Sequence, residues 1–214
     1  MIYCISDIHG EFDRYKAMLD LIQFSDNDTL YVLGDVIDRG PDGVDVLWDI
    51  MSRQNVRMLL GNHEAMCLAT LGPNNEFGAR QLWQQNGGSV TRRDLLYCCG
   101  ARKRSEIIHF LLQLPDHLEI EVNGKAYYLV HGFPAEGQYH RIWDRPDPDA
   151  EAPFPDKTAI IGHTPTVFLT GDNTEPFRIW YGNGVIDIDC GCGHKAPQRR
   201  LACLRLDDLA EFYV

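Results

Sequence analysis

Apolar residues along this chain repeat with two periods. Residues 2–6 form a short apolar run, then Phe12, Tyr15, Leu19 and Ile22 recur at helical spacing. Residues 29–33 are apolar and rich in β-formers, and Val44, Leu47, Trp48 and Met51 form a second helical stripe. Residues 56–60 repeat the short run and residues 64–71 the helical one. This spacing predicts strand, helix, strand, helix, strand, helix, and therefore a parallel sheet with helices on its faces. The second half is strand-rich, with runs at 117–122, 126–130, 158–161, 178–181, 185–188 and 201–206. Asn123-Gly124 between the first two of these is a hairpin signal. Between the halves, residues 74–115 hold two weakly helical pieces around Gln81 and Ile107. Residues 134–155, rich in proline and acid, read as one long loop, a kind of segment that is often functional.

The chain has 214 residues, 44% of them hydrophobic, which suffices for one sizeable core and one domain, 1–214. Its net charge of −11 opposes nucleic acid and anionic membrane as partners, and any phosphate site must be made positive locally. No run approaches the roughly 18 apolar residues of a membrane span. The first apolar run is too short for a signal-peptide core. Seven cysteines, an odd number, read as reduced thiols, and a cytoplasmic location is expected.

The informative residues stand where predicted strands end. Asp7-Ile8-His9 follows the first, Gly34-Asp35-Val36-Ile37-Asp38-Arg39-Gly40 the second and Gly61-Asn62-His63-Glu64 the third. His131-Gly132 and Gly162-His163-Thr164 follow two later ones. Each piece alone reads equally as a turn, a helix cap or a hydrogen-bonded histidine. Five strand ends all carrying Asp, Asn or His point instead to one site outside the carboxyl edge of a sheet. Mixed carboxylate and imidazole donors suit Mn, Fe, Zn, Co or Ni better than Ca or Mg. Two divalent ions about 3.5–4 Å apart can share a carboxylate and a hydroxide. Asp35, at the central strand end, is the expected bridge. Asp7 and His9 are assigned to one ion, and Asn62, His131 and His163 to the other.

Taken together, Asp7-x-His9, Gly34-Asp35-x-x-Asp38-Arg39-Gly40 and Gly61-Asn62-His63-Glu64 resemble the signature of the PPP-family metallophosphoesterases. These include the compact serine/threonine phosphatases of bacterial and bacteriophage lambda type. The resemblance runs from residue 5 to about 190. It implies an α/β fold of two mixed sheets flanked by helices, in four layers αββα, with residues 74–115 as a helical insertion. It also implies a phosphomonoesterase that uses two divalent ions, Mn foremost, and a bridging hydroxide to hydrolyse phosphoserine or phosphothreonine in a protein or peptide. His63 is then the general acid, oriented by Asp38. Arg39 and Arg145, with Asn62 beside them, hold the substrate phosphate, and Arg141 is the rival to Arg145. Phe133 departs from the small residue usual after His131-Gly132. Trp83-Gln84-Gln85-Asn86-Gly87-Gly88 resembles a segment of the bacterial members that borders a substrate groove, although a helix end capped by glycine reads equally well.

Two other functions compete. A dinucleoside polyphosphate hydrolase of the same superfamily shares the metal ligands, but such relatives often lack the residue matching Asp38 and carry Asp where this chain has Glu64. A non-catalytic scaffold is disfavoured because all six candidate ligands are present. Cys190, Cys192 and His194 offer three donors where a structural zinc normally takes four, so a glycine-rich turn is the plainer reading.

Overall fold

The computed structural model describes residues 1–171 and 174–214. Its first half follows the alternation in the sequence: β1 (Ile2–Ile5), α1 (Phe12–Leu21), β2 (Thr29–Val32), α2 (Gly43–Ser52), β3 (Val56–Met58) and α3 (Asn62–Leu71). Then come α4 (Ala79–Gln85), α5 (Ser89–Arg93), a π-helical stretch (Asp94–Cys98) and α6 (Gly100–Leu112). The second half holds the hairpin β4 (His117–Val122) and β5 (Lys125–Val130), α7 (Gln138–Trp143), β6 (Lys157–Ile161), β7 (Trp180–Gly182), β8 (Val185–Asp187), β9 (Ala202–Arg205) and β10 (Ala210–Tyr213).

Two mixed five-stranded sheets result, in the orders β10-β9-β1-β2-β3 and β4-β5-β6-β8-β7. Strands β1, β2 and β3 run parallel, as do β5, β6 and β8; β9 pairs antiparallel with β1 and with β10, and β4 and β7 pair antiparallel with β5 and β8. Alternation along the strands divides the core. Tyr3, Ile5, Leu30 and Val32 face the helices, packing with Tyr15 and Met18 of α1, Leu47 and Ile50 of α2, and Ile107 and Leu111 of α6. Cys4, Leu129, Ile160, Ile186 and Leu204 fill the space between the sheets. On the far face of the second sheet, Tyr128, Val130, Ala159, Ile161 and Val185 pack with Phe133, Phe154 and Trp180. No described helix is long and apolar enough to cross a membrane.

Three features depart from the pattern read in the sequence. The 134–155 loop contains helix α7, whose apolar residues Ile142 and Trp143 are hidden among proline and acidic neighbours. Strand β10 was not expected, because its four residues are all only partly buried. It exists through pairing with β9, which local sequence does not encode. Strand β7 starts two residues later than the run at 178–181, where Arg178 instead pairs with Glu175.

Candidate metal centre

Parallel pairing puts the carboxyl ends of β1, β2 and β3 side by side, and those of β5, β6 and β8 likewise. The polar residues after them converge at one edge of the sandwich. Asp7, His9, Asp35, Asp38, Asn62, His63, His131 and His163 are all buried. To turn these side chains inward the backbone leaves ordinary geometry: Asp7, His9, Asp35, Asp38, Arg39 and His163 all have φ between 48° and 72°. They make up six of the nine non-glycine residues described in that region, and each costs about 1–2 kcal/mol. Strain concentrated in this way marks a functional site. Gly34 and Gly61 show how tightly the loops meet. A Cβ on Gly34 would lie 2.6 Å from the Gly61 backbone, and one on Gly61 would lie 2.3 Å from Asp35 Oδ1.

Glu64 ties the loops together. Its carboxylate accepts N–H bonds from Asp35 at 2.8 Å, Val36 at 2.9 Å, Ile37 at 3.3 Å and Gly61 at 3.1 Å. The histidine tautomers follow from their neighbours. His9 Nδ1 donates to Ile37 O at 3.0 Å, and His131 Nδ1 donates to Leu33 O at 2.8 Å. Each Nε2 therefore faces inward. Burial opposes charge on His131, but the Asp35 carboxylate outweighs burial and pushes this imidazole up to about 9, so its Nε2 carries a proton that a ligated ion would displace. His9 Nε2 lies 3.7 Å from both Asp7 Oδ1 and Asp35 Oδ2. His131 Nε2 lies 2.9 Å from Asn62 Oδ1 and 3.3 Å from Asp35 Oδ1. His163 Nε2 is buried with no partner among the described residues, and its backbone N–H donates to Asp7 Oδ2 at 3.0 Å. Ser6 Oγ donates to the same Asp7 oxygen at 2.5 Å.

Lone pairs crowded on carboxylate oxygens in a dry site call for positive charge between them. Ligand atoms of Asp35, His131 and His163 lie within 4.8 Å of one another, as do those of His9, Asp35 and His63. Asp35 is common to both groups, the position expected of a bridge. Burial opposes its charge, but the imidazoles of His131 and His63 outweigh burial and hold its carboxyl well below the usual range. Burial, then the neighbouring His131, pushes His163 down to about 3, so its imidazole is neutral and free to ligate. This donor set fits divalent transition-metal ions.

His63 belongs to that group by distance yet is engaged otherwise. Its Nδ1 donates to Asp38 Oδ2 at 2.7 Å, and its Nε2 lies 3.3 Å from Arg39 Nη2. A guanidinium at that atom repels a metal ion. Arg39 and Arg145 are both exposed at the open side of the site, and Arg145 Nη1 donates to Thr164 Oγ1 at 3.3 Å, next to His163. Arg141 is turned away, bonded to Ala135 O at 3.0 Å and Asp116 Oδ2 at 2.8 Å.

Asp187 and Asp189 join this edge beyond the residues expected from the sequence. Both are buried where β8 ends at the same edge, with Asp187 Oδ1 accepting from Asp189 N at 2.9 Å. Burial pushes both carboxyls well above the usual range. The strand-end rule that found the other residues applies to them too. Cys190 and Cys192 form no clip: the first packs in the core between the sheets, the second in the core against the helices. The turn they flank lies on the site, since a Cβ on Gly193 would come within 2.1 Å of His9 Cδ2.

Two mixed sheets whose parallel strands all discharge Asp, Asn and His onto one cluster define a metallophosphoesterase. The chain belongs to the calcineurin-like phosphoesterase family, whose model matches residues 1–199. Among curated proteins it is 35% identical over 133 residues to the symmetrical bis(5'-nucleosyl)-tetraphosphatase of Acidovorax sp. (strain JS42), across 61% of this chain and 43% of that protein. It is 32% identical over 134 residues to serine/threonine-protein phosphatase 2 of Escherichia coli (strain K12), across 61% of this chain and 57% of that one. The matched stretches thus span about half the length of these relatives. A metallophosphoesterase from Sphaerobacter thermophilus superimposes with a TM-score of 0.60 at 19% identity, over 100% of this chain and 87% of that one.

Proposed function

We propose that this metallophosphoesterase is a phosphomonoesterase acting on phosphoserine or phosphothreonine in a protein or peptide. The observation that carries this reading is the buried His63–Asp38 pair, closed at 2.7 Å. A serine or threonine alkoxide is a strong base and leaves poorly unless it is protonated as the P–O bond breaks. Asp7, His9, Asp35, Asn62, His131 and His163 would hold two divalent ions, Mn being the one proposed from the Mn, Fe, Zn, Co and Ni that suit mixed imidazole and carboxylate donors. When bound, the ions polarise the phosphoryl oxygens and lower the pKa of a water. The rest falls to the protein. Arg39 and Arg145 donate to phosphate oxygens from the open side, where guanidinium forks match phosphate geometry. Asn62, whose side-chain oxygen faces His131 Nε2, would offer its amide N–H to the same phosphate oxygens. As Arg39 turns to the phosphate it leaves His63 Nε2 free to carry a proton. His63 passes that proton to the departing oxygen while Asp38 holds the ring and stabilises its positive charge.

A second reading, hydrolysis of dinucleoside polyphosphates, is favoured by the Acidovorax relative. There the leaving group is itself a stable phosphate anion, which gains little from a general acid. The Mn-loaded protein should therefore turn over a phosphoserine peptide with a higher kcat/KM than diadenosine tetraphosphate. The opposite ranking replaces the first reading with the second. Failure on every phosphate ester, at any metal loading, removes both.

A further inference from the structure

Residues 83–91 close over the general acid from behind. The Trp83 indole is fully buried, and its Nε1 donates to Asp38 Oδ2 at 2.6 Å. That is the same oxygen that accepts from His63 Nδ1, whereas Asp38 Oδ1 is buried with no partner among the described residues. The Asp38 carboxylate therefore hangs by one oxygen between an indole and an imidazole. The same segment holds the backbone on either side: Asp38 N and Thr91 Oγ1 are 2.9 Å apart, and Arg39 N donates to Gly87 O at 3.2 Å. These three bonds grip two consecutive residues in left-handed geometry, Asp38 at φ 72° and Arg39 at φ 65°. The grip needs its glycines. A Cβ on Gly88 would lie 2.3 Å from the indole ring, and Gly87, at φ 98°, would press one to 3.0 Å from Arg39 Cγ.

We propose that the Trp83–Gly88 turn and Thr91 form a clamp on the proton-donating end of the site. In it, Trp83 is a positioning residue that fixes the Asp38 carboxylate and, through it, the ring of His63. The physical reason is rotational. A carboxylate with one bonded and one unpartnered oxygen can swing about its Cβ–Cγ bond, and the indole N–H, rigid in a packed core, selects one rotamer. Without it the imidazole loses a fixed partner, and a misplacement of about 1 Å at a reacting group is worth up to about 100-fold in rate. The clamp acts only through the proton delivered to the leaving oxygen, so its effect is bounded by that of His63 itself.

This inference rests on the general-acid reading of His63, and the experiment keeps the two apart. Trp83 is replaced by Phe and, to preserve shape, by the isosteric benzothienylalanine, which lacks only the N–H. Turnover is measured on a phosphoserine peptide and on p-nitrophenyl phosphate, beside His63→Asn and the Trp83→Phe/His63→Asn double variant. The isostere should lower kcat on the phosphopeptide by about 10- to 100-fold. It should change the nitrophenyl ester far less and leave KM and metal content at wild-type values. The double variant should be no slower than His63→Asn alone, since both lesions strike one step. With a His63→Asn selective for the alkyl ester, the clamp alone is overturned by an isostere that is unimpaired or slows both substrates equally, or by a double variant slower than His63→Asn. A His63→Asn that slows both substrates equally overturns the general-acid reading and the clamp with it.

Discussion

Glu64 makes the sharpest demand on the site's architecture, because four backbone N–H groups from two loops end on one buried carboxylate. Consider Glu64→Gln, which preserves shape and volume. One terminal atom becomes an NH₂ donor. If it replaces Oε2 it faces the N–H groups of Asp35 and Gly61; if Oε1, those of Val36 and Ile37. Either way two hydrogen bonds are lost. Hydrogen bonds to charged groups contribute about 1.5–3 kcal/mol each, so the loss is about 3–6 kcal/mol, much of the roughly 5–15 kcal/mol that holds a typical domain. The side chain is fully buried, so solvent does not screen this loss.

Burial first, and then the charge of Asp35, push Glu64 up to about 7, so the comparison belongs at pH 8, where the carboxylate is ionised. Urea unfolding of the metal-free proteins gives the stability difference, and metal analysis after loading gives occupancy. The Gln variant should unfold at much lower urea and bind metal more weakly, because the loop carrying Asp35 loses an anchor. A variant within about 1 kcal/mol of wild type that retains both ions would refute the idea that Glu64 holds these loops in place.

Other outcomes follow from the same geometry. Exhaustive chelation should abolish turnover and Mn restore it; Asp35→Ala should lose both ions, and His9→Ala should keep the one assigned to Asn62, His131 and His163, as metal analysis will tell. Arg145→Lys should weaken both turnover and inhibition by inorganic phosphate, because a lysine lacks the fork. Arg141→Lys, bound to Asp116 and Ala135 O, should leave both unchanged, and the reverse result would exchange their roles. Gly193→Ala must displace either the turn or the His9 ring, so its Mn affinity should fall by about 10- to 100-fold while the far-ultraviolet spectrum stays native.

What could be read in the sequence was whatever is local. The strands before Asp7, Asp35 and Asn62 show their period over four or five residues, and the polar groups follow without a gap, so convergence could be argued from parallel pairing alone. His131 and His163 were legible for the same reason. Asp187 and Asp189 obey that rule but stand among Gly, Cys and Ile, which read as a turn. The Trp83–Asp38 contact joins residues 45 positions apart, and no periodicity reports such a distance. Seen in the sequence, Trp83-to-Gly88 was equally a groove wall or a helix end. The structure shows Gly88 giving space to the indole rather than merely ending a helix.

Strain and support are matched at this site residue by residue. Asp38 and Arg39 are consecutive and both left-handed, yet their side chains go to opposite places, one wholly buried and one exposed. An ordinary turn with one residue in that region would not send a carboxylate inward to His63 and, at the next position, a guanidinium outward to a phosphate. Two adjacent left-handed residues do so at about 1–2 kcal/mol each. Three hydrogen bonds from residues 83–91 are of the right size to offset that cost, at about 0.5–1.5 kcal/mol for each neutral one and more for the charged one. Asp35, left-handed as well, has its N–H bonded to Glu64 and its Oδ1 bonded to the N–H of His63 at 3.0 Å. The catalytic loop is therefore held from two sides, by α3 through Glu64 and by residues 83–91 through Trp83, and each support acts on a different function: the first on metal retention, the second on proton delivery.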